Sequence, residues 1–130
     1  DYMPDHNAVS RLVFDASFTA TLPNYHTKVP GHARMVPIYY MDTLCGVNFN
    51  PTEYVDISAE MELKREMCYC HQSQISWMQD NYKDANTGKD FFEHMMITAK
   101  FRGMQCGVEY AEGFRMAYNG YRVHPTRLLP

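Results

Sequence analysis

The chain has 130 residues, of which 45% are hydrophobic, and its formal net charge is -3. This length and apolar content are sufficient for one compact domain. Its 12 basic and 15 acidic residues are spread along the sequence without a basic stripe, which disfavours nucleic-acid binding. Because neither an apolar run of about 18 residues nor a charged-then-apolar leader occurs, we expect a cytoplasmic protein with no membrane span.

The sulfur-containing residues also bear on location and assembly. A chain of this length does not need disulfide bonds to hold its core, so we expect its four cysteines to be reduced and mostly buried. These are Cys45, Cys68, Cys70 and Cys106. The ten methionines are typical of irregular cores and apolar interfaces, so we expect a homo-oligomer.

The first predicted element is a helix over residues 7–20, with Asp5 or Asn7 as its cap. Its apolar residues recur at helical spacing, which places Val9, Leu12, Val13, Ala16 and Ala20 on one face of the helix. The proline- and glycine-rich stretch over residues 21–34 predicts a long surface loop with solvated histidines.

Three strands are predicted from β-branched and aromatic runs. The first, Met35 to Met41, reads as a buried strand, and Pro37 places it at an edge or a strand start. The second runs from Glu53 to Ser58. The last covers residues 107–118, where Gly113 predicts an irregularity.

Two further helical regions separate these strands. Ser58 is the predicted N-cap of one helix, with a Glu60–Lys64 ion pair and an apolar face of Ala59, Leu63, Met67 and Cys70. Residues 71–82 either prolong it or start another helix. After a break at residues 84–88, Asp90 caps a helix that carries Phe92, Met96 and Ala99 and that ends or bends at Gly103. The alternation of strands and helices predicts an α/β layered fold.

The opening motif "DYMPDH" contains the first candidate metal ligand, His6. A neutral imidazole is a favoured zinc ligand, and the neighbouring carboxylate of Asp5 can orient it. A catalytic zinc normally takes three protein ligands, however, and the residues around His6 do not supply the other two. A capping or hydrogen-bonded histidine is therefore the competing interpretation.

Two other clusters combine reactive side chains. Cys68 and His71 are three residues apart on a helix and could share a metal, whereas Cys68 and Cys70 point in different directions. A structural role is favoured for these three residues. Glu109, Glu112 and Arg115 could form an acid/base pair, but an ion-pair network is the more usual outcome.

Four segments in order resemble the C-terminal half of the PIG-L/LmbE-like family of zinc-dependent N-deacetylases. They are "DYMPDHNAVSRLVFDA", "VDIS" leading into a helix that ends "CHQSQ", "RGMQCGVEYAEGFR" and a closing "RLLP". The resemblance implies a Rossmann-like fold, with a sheet flanked by helices, of which residues 1–130 form the C-terminal part. It also implies a zinc cofactor and a small N-acetylated substrate such as an amino sugar.

The resemblance implies that His6 is the third zinc ligand, since it matches the last position of the family's His-Pro-Asp-His-like motif. The other two ligands and the general base belong to an Ala-His-Pro-Asp-Asp-Glu-like motif that these 130 residues lack, so we expect it upstream of Asp1. Met3 stands where many members have a histidine that stabilises the oxyanion or protonates the leaving amine. A thioether can do neither effectively, so this chain carries no catalytic residue at that position.

Two alternatives remain open at the level of sequence. The chain could be a catalytically weak or inactive family member that acts as an oligomeric binding or scaffold protein. It could also be an unrelated Rossmann-like or flavodoxin-like binding domain, because fold does not determine function.

Overall fold

The computed structural model describes residues 1–81, 91–118 and 122. Within these ranges the chain combines helices with a small sheet, as the sequence predicted. The helices are α1 Pro4–Thr19, α2 Met61–Tyr69, α3 Gln72–Asn81 and α4 Phe91–Cys106, and the strands are β1 Tyr39–Met41, β2 Glu53–Asp56 and β3 Ala111–Met116. The strands form one sheet in the order β1-β3-β2.

The chain divides into two compact units. The first consists of residues 1–41 and 115–130, and the second of residues 42–114. None of the helices within the described residues is long and apolar enough to cross a membrane.

Helix α1 of the first unit starts earlier than predicted. Pro4 occupies its first turn, where the missing N–H costs nothing and the fixed φ suits a helix. The N-cap residue is Met3, and no side chain caps the helix, so the capping predicted for Asp5 or Asn7 is wrong. Asp5 instead lies in the first turn, where a negative charge interacts favourably with the helix dipole.

The apolar face of α1 is largely exposed. No residue of this helix is buried, and Val9, Leu12 and Val13 are each more than half exposed. Among the described residues, Arg122 contacts α1 within its unit. Its guanidinium lies 4.2 Å from the ring centroid of Phe14 and donates to the Phe14 carbonyl and to Oγ of Ser17.

The rest of the first unit agrees in part with the predictions. Residues 21–34 contain no helix or strand, and both of their histidines are exposed. Strand β1 lies at a sheet edge, as Pro37 indicated, but it covers only Tyr39–Met41. The prediction that it is buried is wrong, because Met41 is 74% exposed.

In the second unit, β2 pairs with β3 in antiparallel register from Glu53 opposite Phe114 to Asp56 opposite Ala111. The register passes through Gly113, which lies opposite Tyr54, so the predicted irregularity is wrong. Glycine is required here for space, since a Cβ on Gly113 would lie 2.7 Å from Cγ of Pro51.

The turn into α2 uses its polar residues differently from the prediction. The hydroxyl of Ser58 donates to Asp56 and accepts from the Tyr110 amide, so it is not the cap of a helix. Lys64 pairs with Glu112 rather than with Glu60. The predicted apolar face is largely exposed, because Leu63 and Met67 are more than half exposed, whereas Met61 is buried.

The core of the second unit lies between α2 and α4. Ile57, Met61 and Ala99 form a buried cluster against which Phe92, Met96 and Tyr110 pack. This confirms the prediction that Phe92, Met96 and Ala99 share a face of α4. Of the two alternatives for the segment after α2, the structure has a separate helix, since α2 ends at Tyr69 and α3 starts at Gln72.

Helix α4 continues past Gly103 to Cys106, so of the two predicted effects of Gly103 the helix end is wrong, while the bend stays a prediction. Gly103 is needed because a Cβ there would lie 2.6 Å from the carbonyl oxygens of Val108 and Glu109. The residue therefore allows close approach of the following chain and does not stop the helix. The predicted break at residues 84–88 and the Asp90 cap lie outside the described residues.

Candidate functional site

The segment that precedes α1 brings His6 and Asp1 together. Nδ1 of His6 lies 2.9 Å from Oδ2 of Asp1, and the histidine side chain is 45% exposed against 15% for the aspartate. An ionised carboxylate can only accept hydrogen bonds, so the imidazole donates from Nδ1. Nε2 then carries the lone pair of the neutral ring.

The carboxylate that contacts His6 is therefore that of Asp1, whereas the sequence indicated Asp5. Asp5 follows Pro4 in the first turn of α1. The orienting role proposed for Asp5 stays a prediction. Asp1 lies five residues before His6 in the sequence. This spacing brings the two side chains together only because the chain turns into helix α1 between them.

His6 fits the role of one zinc ligand. Metal-bound histidines usually donate their other ring N–H to a carboxylate, which fixes the tautomer and the ring orientation. However, no group of three His, Cys, Asp or Glu side chains suited to a metal occurs within residues 1–81, 91–118 and 122. The described residues thus provide one candidate ligand and its hydrogen-bond partner, and no complete coordination set occurs among them.

Met3 lies next to this pair. It is half-buried and its carbonyl accepts the Asn7 N–H at 3.1 Å, the first bond of α1. Its backbone therefore helps to begin the helix that carries His6. Its side chain offers no proton donor or base.

The cysteine cluster at the end of α2 has local contacts. Sγ of Cys68 lies 3.8 Å from Sδ of Met95, and Sγ of Cys70 lies 3.4 Å from the Glu66 carbonyl. All four cysteines are free thiols, as expected, but the expectation that they are mostly buried is wrong, since Cys45, Cys70 and Cys106 are exposed. His71 is exposed at the junction with α3, so the structural interpretation of this cluster stands as the simpler one.

The charged residues around β3 also have partners of their own. Glu112 forms a 2.6 Å ion pair with Nζ of Lys64, and the Arg115 guanidinium lies 5.9 Å from the ring centroid of Tyr40. The Glu112 carboxylate is thus paired with Lys64 of α2. This arrangement matches the ion-pair interpretation better than an acid/base pair with Glu109.

A buried polar cluster centres on Arg102, the first residue of the segment "RGMQCGVEYAEGFR", whose pattern did not indicate a role for it. This side chain is 3% exposed. Its Nε and Nη2 donate to the two carboxylate oxygens of Asp42 at 2.6 and 3.1 Å. Nη2 also reaches the carbonyls of Gly46 and Phe49, and Nη1 donates to Gln105. The spacing of apolar residues does not reveal that an arginine is buried.

Arg102 fixes a loop with an unusual backbone. Cys45, Gly46 and Asn48 all have positive φ, at 61°, 69° and 57°. Left-handed conformations cost energy in non-glycine residues and persist where their surroundings determine them. The two carbonyls bonded by the buried guanidinium provide that determination here.

Comparison with known proteins yields a fold likeness. No family model matches the chain. Among solved structures, the crystal structure of GalB, the 4-carboxy-2-hydroxymuconate hydratase from Pseudomonas putida KT2440, is similar with a TM-score of 0.63 and 20% sequence identity. The alignment covers 98% of this chain and 51% of that chain, so the chain spans about half the length of this neighbour. At this identity the likeness concerns the fold alone.

Proposed function

We propose that these residues form the C-terminal part of a metal-dependent hydrolase that removes an N-acetyl group from an amino sugar or a related amide. The observation that carries the proposal is the hydrogen bond from Nδ1 of His6 to Asp1, which leaves Nε2 as the ligating atom. The order of the four sequence segments supports the same assignment. A Rossmann-like arrangement of a sheet between helix layers belongs to this proposal.

In this proposal the chain contributes His6 as one of three zinc ligands, and a segment outside the 130 residues contributes the others. A zinc ion held there would lower the pKa of a bound water molecule and polarise the amide carbonyl. Asp1 keeps the imidazole proton on Nδ1, so that Nε2 stays available. The first turn of α1 holds His6 in place through the Asn7 N–H bond to the Met3 carbonyl.

Hydrolysis of N-acetylglucosamine and related N-acetyl compounds by the protein at its natural length, with Zn²⁺ added, tests the proposal. We expect acetate release, and a fall of at least about 100-fold in His6→Ala, since even changes to the partners of a ligand cost 10- to 100-fold. His71→Ala is the matched control, because His71 is also an exposed histidine. Equal loss in both variants, or no activity in the wild type, would contradict the proposal.

A catalytically silent binding protein is the alternative that Met3 favours. Its test is Met3→His, which restores the side chain that many members of the resembling family carry. A gain of deacetylation would indicate that the remaining site is complete. If zinc binds but neither form hydrolyses any amide, the binding role is the better description.

A hydratase is a second candidate, favoured by the fold likeness to GalB. Hydration and amide hydrolysis both deliver an activated water to an electrophilic carbon, so His6 could serve either. Loss of 4-carboxy-2-hydroxymuconate on incubation with the protein would favour hydration. Release of acetate from N-acetyl compounds without that loss would favour deacetylation.

A further inference from the structure

The carboxylate of Asp1 is held in place on the side away from His6. Oδ1 accepts the backbone N–H of Tyr2 at 2.6 Å, and it lies 3.5 Å from the backbone N of Met3. Oδ2, the other oxygen, faces Nδ1 of His6. Since both oxygens are engaged, the carboxylate cannot rotate away from the imidazole without losing hydrogen bonds to the backbone.

The backbone of Asp1 is held as well. The side-chain amide of Asn7 donates to the Asp1 carbonyl at 2.8 Å. Asn7 itself lies in the first turn of α1, next to His6. Both partners of the imidazole–carboxylate bond are therefore fixed to one helix turn.

We infer that Asp1 is the positioning residue of His6: it holds the imidazole in the Nδ1-protonated tautomer and directs Nε2 outward as the metal-binding atom. The metal-binding part of this inference rests on the proposed function. The tautomer part rests on the geometry of the Asp1–His6 pair. Asp5, which the sequence favoured for this role, serves as the comparison.

The tautomer is measured without metal, by long-range ¹H–¹⁵N NMR of the histidine rings at a pH where the imidazole is neutral. We expect the wild type to show Nδ1-protonated His6, Asp1→Ala to lose that preference, and Asp5→Ala to keep it. A merely structural role of Asp1 would leave the ring tautomer unchanged. An unchanged tautomer in Asp1→Ala, or an equal change in Asp5→Ala, would overturn the inference.

A titration with Zn²⁺ alone, in the protein at its natural length, separates this inference from the proposed function. We expect Asp1→Ala to weaken zinc binding by about 10- to 100-fold and Asp5→Ala to leave it unchanged. If the tautomer responds to Asp1→Ala but the wild type binds no zinc, the proposed function fails while the positioning role stands. If zinc binds equally to wild type and Asp1→Ala, the metal-directing role of Asp1 is wrong.

Discussion

Nε of Arg102 lies 2.6 Å from Oδ2 of Asp42, in an ion pair whose arginine is 3% exposed. The same guanidinium binds the carbonyls of Gly46 and Phe49. This one side chain therefore connects α4 to the loop that carries three left-handed residues.

Replacing Arg102 by alanine is expected to be strongly destabilising. Removal of one partner leaves the charge of Asp42 and two loop carbonyls without their donors, which costs about 3–5 kcal/mol for a buried pair. The free energy of unfolding from urea denaturation measures this loss. Arg11→Ala, an exposed arginine on α1, is the control and should change stability by no more than about 0.5 kcal/mol. A loss below about 1 kcal/mol for Arg102→Ala would show that the pair contributes little.

Gly46→Ala is expected to destabilise the protein more than Gly107→Ala. Both glycines have positive φ, at 69° and 82°, so an alanine costs about 1–2 kcal/mol at either position. A Cβ on Gly46 would also lie 2.9 Å from Nη2 of Arg102, whereas one on Gly107 meets no atom within 4 Å. The difference in unfolding free energy between the two variants therefore reports the contact with Arg102, and equal losses would contradict it.

The Lys64–Glu112 pair is expected to contribute more than the Arg65–Glu62 pair. The first joins α2 to β3 at 2.6 Å with side chains 25% and 38% exposed, while the second spans 3.8 Å on an exposed helix surface. A double-mutant cycle with alanine at both positions should give a coupling of up to about 1 kcal/mol for the first pair and near zero for the second. Added salt should reduce the first coupling. Equal couplings would contradict this ranking.

Asp56 is expected to make stability depend on pH on the acid side. The Ser58 hydroxyl, and next its backbone N–H, donate to the carboxylate and lower the pKa of Asp56 below its ordinary value. A depressed folded pKa contributes stability above the unfolded pKa, and this contribution is lost as the pH falls through the folded value.

The Ser58→Ala variant tests that assignment. Its Asp56 pKa, followed by NMR of the carboxyl carbon, should rise toward the ordinary value. Ser76→Ala, in which the altered hydroxyl belongs to α3, should leave the titration of Asp56 unchanged. An unaltered pKa in Ser58→Ala would mean that the hydroxyl bond is not its cause.

Local sequence signals predicted where elements lie better than which faces they bury. Proline and glycine marked the loop before β1, and Phe92, Met96 and Ala99 marked the inner face of α4. Leu63 and Val9 follow the same helical spacing, yet both are more than half exposed. Helical periodicity identifies an apolar face, but it does not specify whether another element covers that face.

Polar contacts between residues far apart in sequence were not predicted, because the sequence pattern describes only near neighbours. Lys64 was assigned to Glu60, a neighbour in sequence, whereas its partner Glu112 lies 48 residues away. Arg102 and Asp42 are 60 residues apart. Pairings of this kind depend on how strands and helices assemble, and short-range spacing contains no information about them. The Asp1–His6 bond is local, but it requires the turn that Pro4 begins.

The zinc content of the purified protein at its natural length is the sharpest test of His6 as a metal ligand. We expect one zinc per chain in the wild type, retained in His71→Ala and lost in His6→Ala. Absence of zinc from the wild type after purification with Zn²⁺, or full retention of zinc by His6→Ala, would contradict it.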